Sequence, residues 1–163
     1  MIRPKIALFL ILTSLLATPV FAQSGSAPSA VMQAPRTITF GAPLTLSGAQ
    51  SSDPDGTGVR SVWTKLTGAG GAMTLNQAFG TLEPTFVVPQ PAGRSLAIGR
   101  HRFRLVVDDN SGNHSNPTEV EVIVIDSTAP TAVLDASDSI AFGAPLTLSG
   151  AQSTDTVGRV VRY

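Results

Sequence analysis

GRHRFRLVVD, residues 99–108, decides the fold class of this chain. Every second position carries an aromatic or apolar side chain: His101, Phe103, Leu105 and Val107. Arginines alternate with them, at Arg100, Arg102 and Arg104. A period of two residues is typical of a β-strand with one buried and one solvated face. The stretch therefore predicts a β-strand.

A second alternating run follows after a short polar turn. Its valines and glutamates take alternate positions: Glu119, Val120, Glu121, Val122 and Val124. The turn between the runs begins DNSGN at residues 109–113, and these residue types tolerate a positive φ. We therefore predict an antiparallel hairpin in which arginines and glutamates face each other across the strands.

The rest of the chain beyond residue 22 carries strand signals and no helical ones. Short runs rich in Val, Ile, Thr and Phe lie between clusters of Gly, Pro, Asn, Asp and Ser, at residues 37–40, 44–46, 59–66, 73–75 and 85–88. Gly and Pro interrupt nearly every window that could keep a helical period. We predict an all-β protein in which Trp63, the only tryptophan, anchors the core.

The chain contains an internal repeat. GAPLTLSGAQS stands at residues 41–51 and again at residues 143–153. A shift of 102 residues aligns residues 27–61 with residues 129–163 without a gap, and 22 of the 35 positions are identical. A period of roughly 100 residues suits a string of independent domains, each the size of one immunoglobulin-like sandwich with a connector. We predict a complete β-sandwich at 27–126 and an incomplete second repeat at 127–163.

The second repeat lacks the position that corresponds to Trp63. Since a few strands without a second sheet bury little apolar surface, we expect residues 129–163 to be loosely ordered or to pair with an exposed strand edge. Three interpretations stay open. The chain is the start of a longer tandem-repeat protein, or it donates its unpaired strands to a neighbouring molecule, or it is the accessory end of an exported hydrolase.

Residues 1–22 have the pattern of a secretory signal peptide. A basic start precedes an apolar run at residues 6–16, and small residues at positions −3 and −1 end the segment. The apolar run is shorter than the ~20 residues that cross a bilayer, so we predict no membrane span after the signal is removed. Residues 23–26 form a linker. We predict a secreted, extracellular or cell-surface protein, with the periplasm as the alternative location.

Charge and cysteine content narrow the range of partners. The chain carries 11 Lys and Arg against 11 Asp and Glu, and two of the positive charges lie in the signal peptide. The weakly acidic remainder gives no reason to expect nucleic acid as a partner. An exported chain without cysteine depends on core burial for its stability, which argues against the small disulfide-stapled classes.

Three motifs stand in the order of a known family. They are GAPLTLSGAQSSDPDG at residues 41–56, VRSVWTKLTG at 59–68 and GRHRFRLVVDDNSGNHS at 99–115, followed by a valine-rich last strand. This order resembles the polycystic kidney disease (PKD) repeat family over residues 27–126, and again over 129–163. Trp63 runs into TKLTG instead of the WDFGDG turn of many members, which looks like the receptor-for-egg-jelly side of the superfamily. His101 stands where the family usually has Tyr.

The resemblance implies an extracellular immunoglobulin-like sandwich that serves as a spacer or binding module, often in tandem and often attached to secreted hydrolases or adhesins. We therefore expect a non-catalytic exported module for contacts with extracellular protein or polysaccharide. We also expect that the incomplete repeat allows self-association. The alternative is the accessory N-terminal part of a secreted peptidase or glycosidase whose catalytic domain is missing from this chain.

Four aspartates are candidate calcium ligands: Asp53, Asp55, Asp108 and Asp109. Hard oxygen ligands bind Ca²⁺ when they converge, and some PKD-like proteins are similar in using acidic loops for calcium. The alternative is a plain turn in which Asp caps backbone amides beside Gly56. Val157 replaces the second aspartate in the other repeat, which favours the plain turn. No other cofactor is expected.

Arg100, Arg102 and Arg104 are candidate binding residues, because a basic stripe on one strand face can dock an acidic polysaccharide. The alternative, which we favour, is a solvated face neutralised by Glu119 and Glu121 across the hairpin.

The residues that catalysis needs are poorly represented. His101 and His114 are the only histidines, and neither has a second His, a Cys or a carboxylate at ligand spacing. The sequence contains no cysteine and no G-x-S-x-G motif that could supply a nucleophile. We expect no enzymatic activity.

Overall fold

The computed structural model describes residues 25–56 and 60–162, and across these ranges the chain forms strands and no helix. The all-β prediction is confirmed. A bilayer-crossing helix is not found anywhere in the described ranges. The predicted signal peptide at residues 1–22 lies outside the described residues.

Seven strands build the first unit of the fold. They are β1 (Thr37–Thr39), β2 (Thr45–Ser47), β3 (Arg60–Thr67), β4 (Ala78–Thr81), β5 (Thr85–Val87), β6 (Gly99–Asp108) and β7 (Thr118–Ile125). Two short strands follow in the second repeat, β8 (Asp135–Ala136) and β9 (Leu148–Ser149).

The larger sheet has five strands in the order β1-β7-β6-β3-β4. β6 pairs antiparallel with β7 in the predicted hairpin, with Arg102 opposite Glu121 and Arg104 opposite Glu119. β3 lies antiparallel to β6 on its other side. β1 joins the free edge of β7 in parallel. The alternating stretch at residues 99–108 is therefore the central strand of the larger sheet.

The smaller sheet carries β2 antiparallel to β5. The segment before β1 extends it, because Ser29 bridges Ser52 and Gln33 bridges Ser47. Residues 29–52 thus form a hairpin, which we call the first hairpin. Its start belongs to the smaller sheet, and β1 belongs to the larger one, so this segment connects the two layers of the sandwich.

The core lies between the two sheets. Trp63 is fully buried, as predicted, and stacks on Phe86 with ring centroids 5.9 Å apart. Its indole Nε1 donates a hydrogen bond of 3.0 Å to the Thr81 hydroxyl on β4. The other buried apolar residues come from both layers: Met32, Leu44, Leu46, Val88, Leu96, Phe103, Leu105, Val107, Val122 and Val124. A two-layer packing of this kind is a β-sandwich.

One predicted strand is wrong. Residues 73–75 belong to a loop, and the edge strand of the larger sheet is β4 (Ala78–Thr81) instead. The loop contains left-handed backbone at Gly70, Gly71 and Asn76, which an extended strand cannot accommodate. Only after Asn76 does the chain become extended, and Phe79 then pairs with Trp63.

The second repeat reproduces the first hairpin in outline. Thr131 bridges Thr154, and Asp135 on β8 pairs with Ser149 on β9. These are the first-hairpin pairs shifted by 102 residues. A side-chain contact is also repeated, since the Ser153 hydroxyl accepts from the Val133 amide at 2.9 Å as Ser51 does from Val31 at 3.0 Å. We call residues 131–154 the second hairpin.

Candidate metal centre

Three aspartates converge at one end of the sandwich. Asp53 and Asp55 lie in the loop between β2 and β3, and Asp109 directly follows β6. Each offers a carboxylate oxygen, and these oxygens lie within 4.8 Å of one another. The pairing of Arg60 with Asp108 brings the start of β3 beside the end of β6. The loop before β3 and the turn after β6 therefore share this end of the fold.

Asp53 is the least satisfied member of the cluster. Both of its carboxylate oxygens are buried, and neither finds a hydrogen-bond partner among the described residues. Burial raises the pKa of Asp53, the backbone amide of Asp55 offsets part of this rise, and the nearby charges of Asp55 and Asp109 raise the pKa further. A buried carboxylate without donors is costly. A bound cation would supply the missing partner for both oxygens.

Asp109 is held by its own turn. Burial alone would raise its pKa, but hydrogen bonds from Asn113, Ser111 and Gly112 lower it overall. The Asn113 side chain donates to Oδ2 at 2.7 Å, and the backbone amides of Ser111 and Asn113 donate to Oδ1 at 2.8 and 2.7 Å. Asp109 therefore stays ionised and fixed in orientation, as a cation ligand should be.

Asp55 ties the cluster to the start of the described chain. Its Oδ2 accepts a hydrogen bond from the backbone amide of Ser26. Gly25 packs beside the same carboxylate. Asp55 itself is exposed, so its second oxygen can turn towards a cation without a large desolvation cost. The chain thus enters the sandwich directly against the acidic cluster.

A side chain at position 56 would crowd the acidic cluster. A Cβ on Gly56 would overlap the Asp53 carboxylate and come within 3.2 Å of the Asn110 side-chain oxygen. The side-chain amide oxygen of Asn110 therefore lies near the Asp53 carboxylate. Carboxylates, an amide oxygen and water are the ligands that Ca²⁺ takes in its six- to eight-coordinate sites. The residues present fit a calcium ion.

The matching loop of the second repeat is built differently. Asp155 corresponds to Asp53, but its Oδ1 accepts hydrogen bonds from the amides of Val157 and Gly158, each at 3.0 Å. These bonds lower the pKa of Asp155. The second loop is therefore a plain capped turn, whereas the carboxylate oxygens of Asp53 accept no well-formed hydrogen bond from the described residues.

Asp108 is not part of the cluster. Successive side chains on a strand point to opposite faces, so Asp108 faces away from Asp109. It lies 3.9 Å from Arg60 and 2.7 Å from the Nδ1 of His114. Three of the four candidate ligands therefore come together. Asn110 and Asn113 were not predicted, although the amide-rich sequence DNSGN is a signal for side chains that support a ligand.

The three arginines of β6 are paired with glutamates of β7. Arg100 pairs with Glu121, whereas Arg102 and Arg104 share Glu119, the latter at 2.7 Å. All three pairs are at the surface, where each contributes at most about 1 kcal/mol. These three arginines and two glutamates together carry a small net positive charge. Each guanidinium group is already paired with a glutamate.

The two histidines lie apart from each other. His101 is buried in the core, where its Nε2 lies 2.7 Å from the Ala97 carbonyl. Its Nδ1 has no hydrogen-bond partner in the described part of the chain. His114 is exposed in the turn beyond β6. His101 therefore has a packing role, and His114 makes a surface contact with Asp108.

Comparison with known proteins adds no relative. No model of a known protein family matches the chain. A search of curated proteins also found no significant match.

Proposed function

We propose that this protein is an exported, non-catalytic module for contacts with extracellular protein or polysaccharide, or for spacing such contacts, and that the aspartate cluster binds calcium. The resemblance to PKD repeats supports the module, because it rests on motifs that fall in the core strands and in the acidic loop. SSDPDG contains two of the clustered aspartates, and VRSVWTKLTG contains the core tryptophan.

The observation that carries the calcium proposal is the state of Asp53. The second repeat caps the equivalent carboxylate, Asp155, with the backbone amides of Val157 and Gly158. The first loop instead buries both oxygens next to two further carboxylates. Three negative charges within a few ångströms favour a divalent cation over water or a monovalent ion.

A cation at this position would cross-link three segments. It would join the loop at residues 53–56, the turn at residues 109–113 and, through Asp55, the entering chain at Ser26. Such a link holds the loop, the turn and the residues around Ser26 together. Calcium would therefore act on the stability of this end of the sandwich.

Thermal unfolding with and without calcium tests this proposal. A site filled to ten times its Kd stabilises the folded chain by about 1.4 kcal/mol, which raises the Tm of a domain of this size by roughly 5–10 °C. We expect this rise in the native chain and in Asp155→Asn, and no rise in Asp53→Asn. Equal responses of the two variants would contradict the assignment, and Mg²⁺ at the same concentration serves as the ion control.

A further inference from the structure

The second hairpin exposes the apolar face that the first hairpin buries. Leu44 and Leu46 have no exposed surface in the sandwich, but their counterparts Leu146 and Leu148 are 53% and 58% exposed. Met32 is 8% exposed, and its counterpart Leu134 is 70% exposed. The difference arises because the larger sheet covers the first hairpin, whereas no comparable sheet covers the second among the described residues.

Several residues of the first hairpin that pack against the larger sheet are identical in the second hairpin. Gly48 lies so close to that sheet that a Cβ would come within 2.9 Å of the Leu105 side chain and 3.5 Å of Trp63. Glycine is kept at this position as Gly150. Other residues that pack against the core are identical in both copies: Ala30 and Ala132, Ala34 and Ala136, Ile38 and Ile140.

The strand pairing of the second hairpin matches that of the first hairpin. Its cross-strand pairs are those of the first hairpin shifted by 102 residues. A segment with the same register, the same glycine and leucines at the same positions presents the same surface. We propose that the second hairpin of one chain docks on the larger sheet of a second copy, in the place that the first hairpin occupies.

The acceptor has to be a second copy because the connection within one chain is too short. β7 ends at Ile125, which pairs with Thr39 of β1, whereas Thr131 would have to reach the position of Ser29. Strand geometry places those two positions about 30 Å apart. The six steps from Ile125 to Thr131 extend to about 20 Å at most.

The two hairpins compete for one surface. The first hairpin is joined directly to β3, so its effective concentration at the sheet is high and it holds the site in most molecules. When it opens, the second hairpin of a neighbour makes nearly the same contacts. Such an exchange of equivalent elements is a low-cost route to a dimer or to a longer assembly.

Disabling the first hairpin in the full chain tests the exchange. Leu44→Asp combined with Leu46→Asp removes its apolar face, and the proposal expects this variant to stay folded, with Trp63 buried, and to self-associate. The matched control, Leu146→Asp with Leu148→Asp, should be folded and monomeric. With all four substitutions the chain should unfold. The readouts are tryptophan fluorescence and sedimentation velocity over a concentration series.

Three results would overturn the proposal. The first-hairpin variant could be unfolded at every concentration, or it could be folded and monomeric. It could also associate equally well when the second hairpin carries the same substitutions, which would point to non-specific association of unfolded chains.

Cysteine trapping tests the same contact in a chain with both hairpins intact. Thr45 and Val87 are cross-strand partners, so Thr147 should take the place of Thr45 opposite the Val87 of a second copy. The natural chain has no cysteine, so two single-cysteine chains, Thr147→Cys and Val87→Cys, can form only defined disulfides. Mixed under oxidising conditions they should form a disulfide-linked heterodimer in excess over the pair Thr147→Cys and Arg94→Cys. Equal yields would count against docking at this site.

Discussion

Asp53 shows how one residue type acquires two roles in the same chain. Its counterpart Asp155 is capped by two backbone amides, whereas the buried oxygens of Asp53 lie beside two other carboxylates and accept no well-formed hydrogen bond from the described residues. The difference comes from what surrounds each loop, since only the first loop meets the turn after β6. Asp53 is therefore a candidate calcium ligand because of the carboxylates that surround it, and its position in the repeated sequence alone does not make it one.

The charge of Asp53 should be unfavourable when calcium is removed. Its pKa is raised in the folded state, so the folded chain binds the proton more tightly than the unfolded chain does. The free energy of unfolding should then fall as pH rises from about 4, the pKa of an unfolded aspartate, through the higher folded value. In a chelator, Asp53→Asn should be increasingly more stable than the native chain over this range.

Denaturant unfolding of both proteins at a series of pH values measures this effect. Asp109, whose pKa is lowered and whose contribution has the opposite sign, is present in both chains and largely cancels. A difference between the two proteins that does not change with pH would contradict the interpretation of Asp53.

Lys65 is a second residue whose ionisation opposes the fold. It is buried on the core face of β3, its ammonium group donates to the Gly70 carbonyl, and burial lowers its pKa. The unfolded chain therefore binds this proton more tightly, so the stability of the native chain should rise with pH between the lowered folded pKa and about 10.4, the ordinary value for lysine. Relative to Lys65→Met, the native chain should gain stability over that range. A constant difference would show that folding does not shift the pKa of Lys65.

At the scale of elements, β6 and β7 could be predicted from the sequence, whereas β4 could not. Residues 99–108 and 118–125 alternate so regularly that both strands and their antiparallel pairing follow from the sequence. The edge strand β4 could not be located, because glycines and Asn76 with left-handed backbone precede it. Met73 packs on the core from the loop, whereas Leu75 is exposed. Hydrophobic runs reveal that a segment is buried, but its backbone conformation depends on the turn residues around it.

The two hairpins provide a matched comparison of buried and exposed leucine. Leu46→Ala should destabilise the sandwich by about 2–5 kcal/mol, since it removes a fully buried side chain and leaves a cavity. Leu148→Ala alters the same sequence context at an exposed position and should change stability by less than about 0.5 kcal/mol. Denaturant unfolding followed by Trp63 fluorescence measures both. Similar losses in the two variants would show that the second hairpin is packed on a sheet in the isolated protein.

At the scale of the whole molecule, the sequence predicted the class of fold and only part of the candidate site. Asp53 and Asp55 stand together in the sequence, but Asp109 reaches them only because β3 pairs with β6 in a particular register. The same register sends Asp108 to the other face, where it meets Arg60 and His114. The pairing of the strands decides which aspartates lie close together, and this pairing cannot be predicted from the positions of the aspartates in the sequence.

The molecule combines a sandwich, a repeated hairpin and an acidic cluster that contacts the chain at Ser26. In the proposed function, an ion bound at the cluster holds the residues around Ser26 against the sandwich. The repeated hairpin gives it a surface that fits a second copy. Each part acts through contact and stiffness, which agrees with the proposed role as a spacer or binding module.

Calorimetric titration of calcium into the purified chain tests the central claim most directly. We expect one ion to bind per chain, with a Kd in the ~10⁻⁴–10⁻³ M range of extracellular modules. Binding should be retained in Asp155→Asn and abolished in Asp53→Asn. Absence of binding to the native chain, or binding that survives Asp53→Asn, would contradict the assignment of the aspartate cluster as a calcium site.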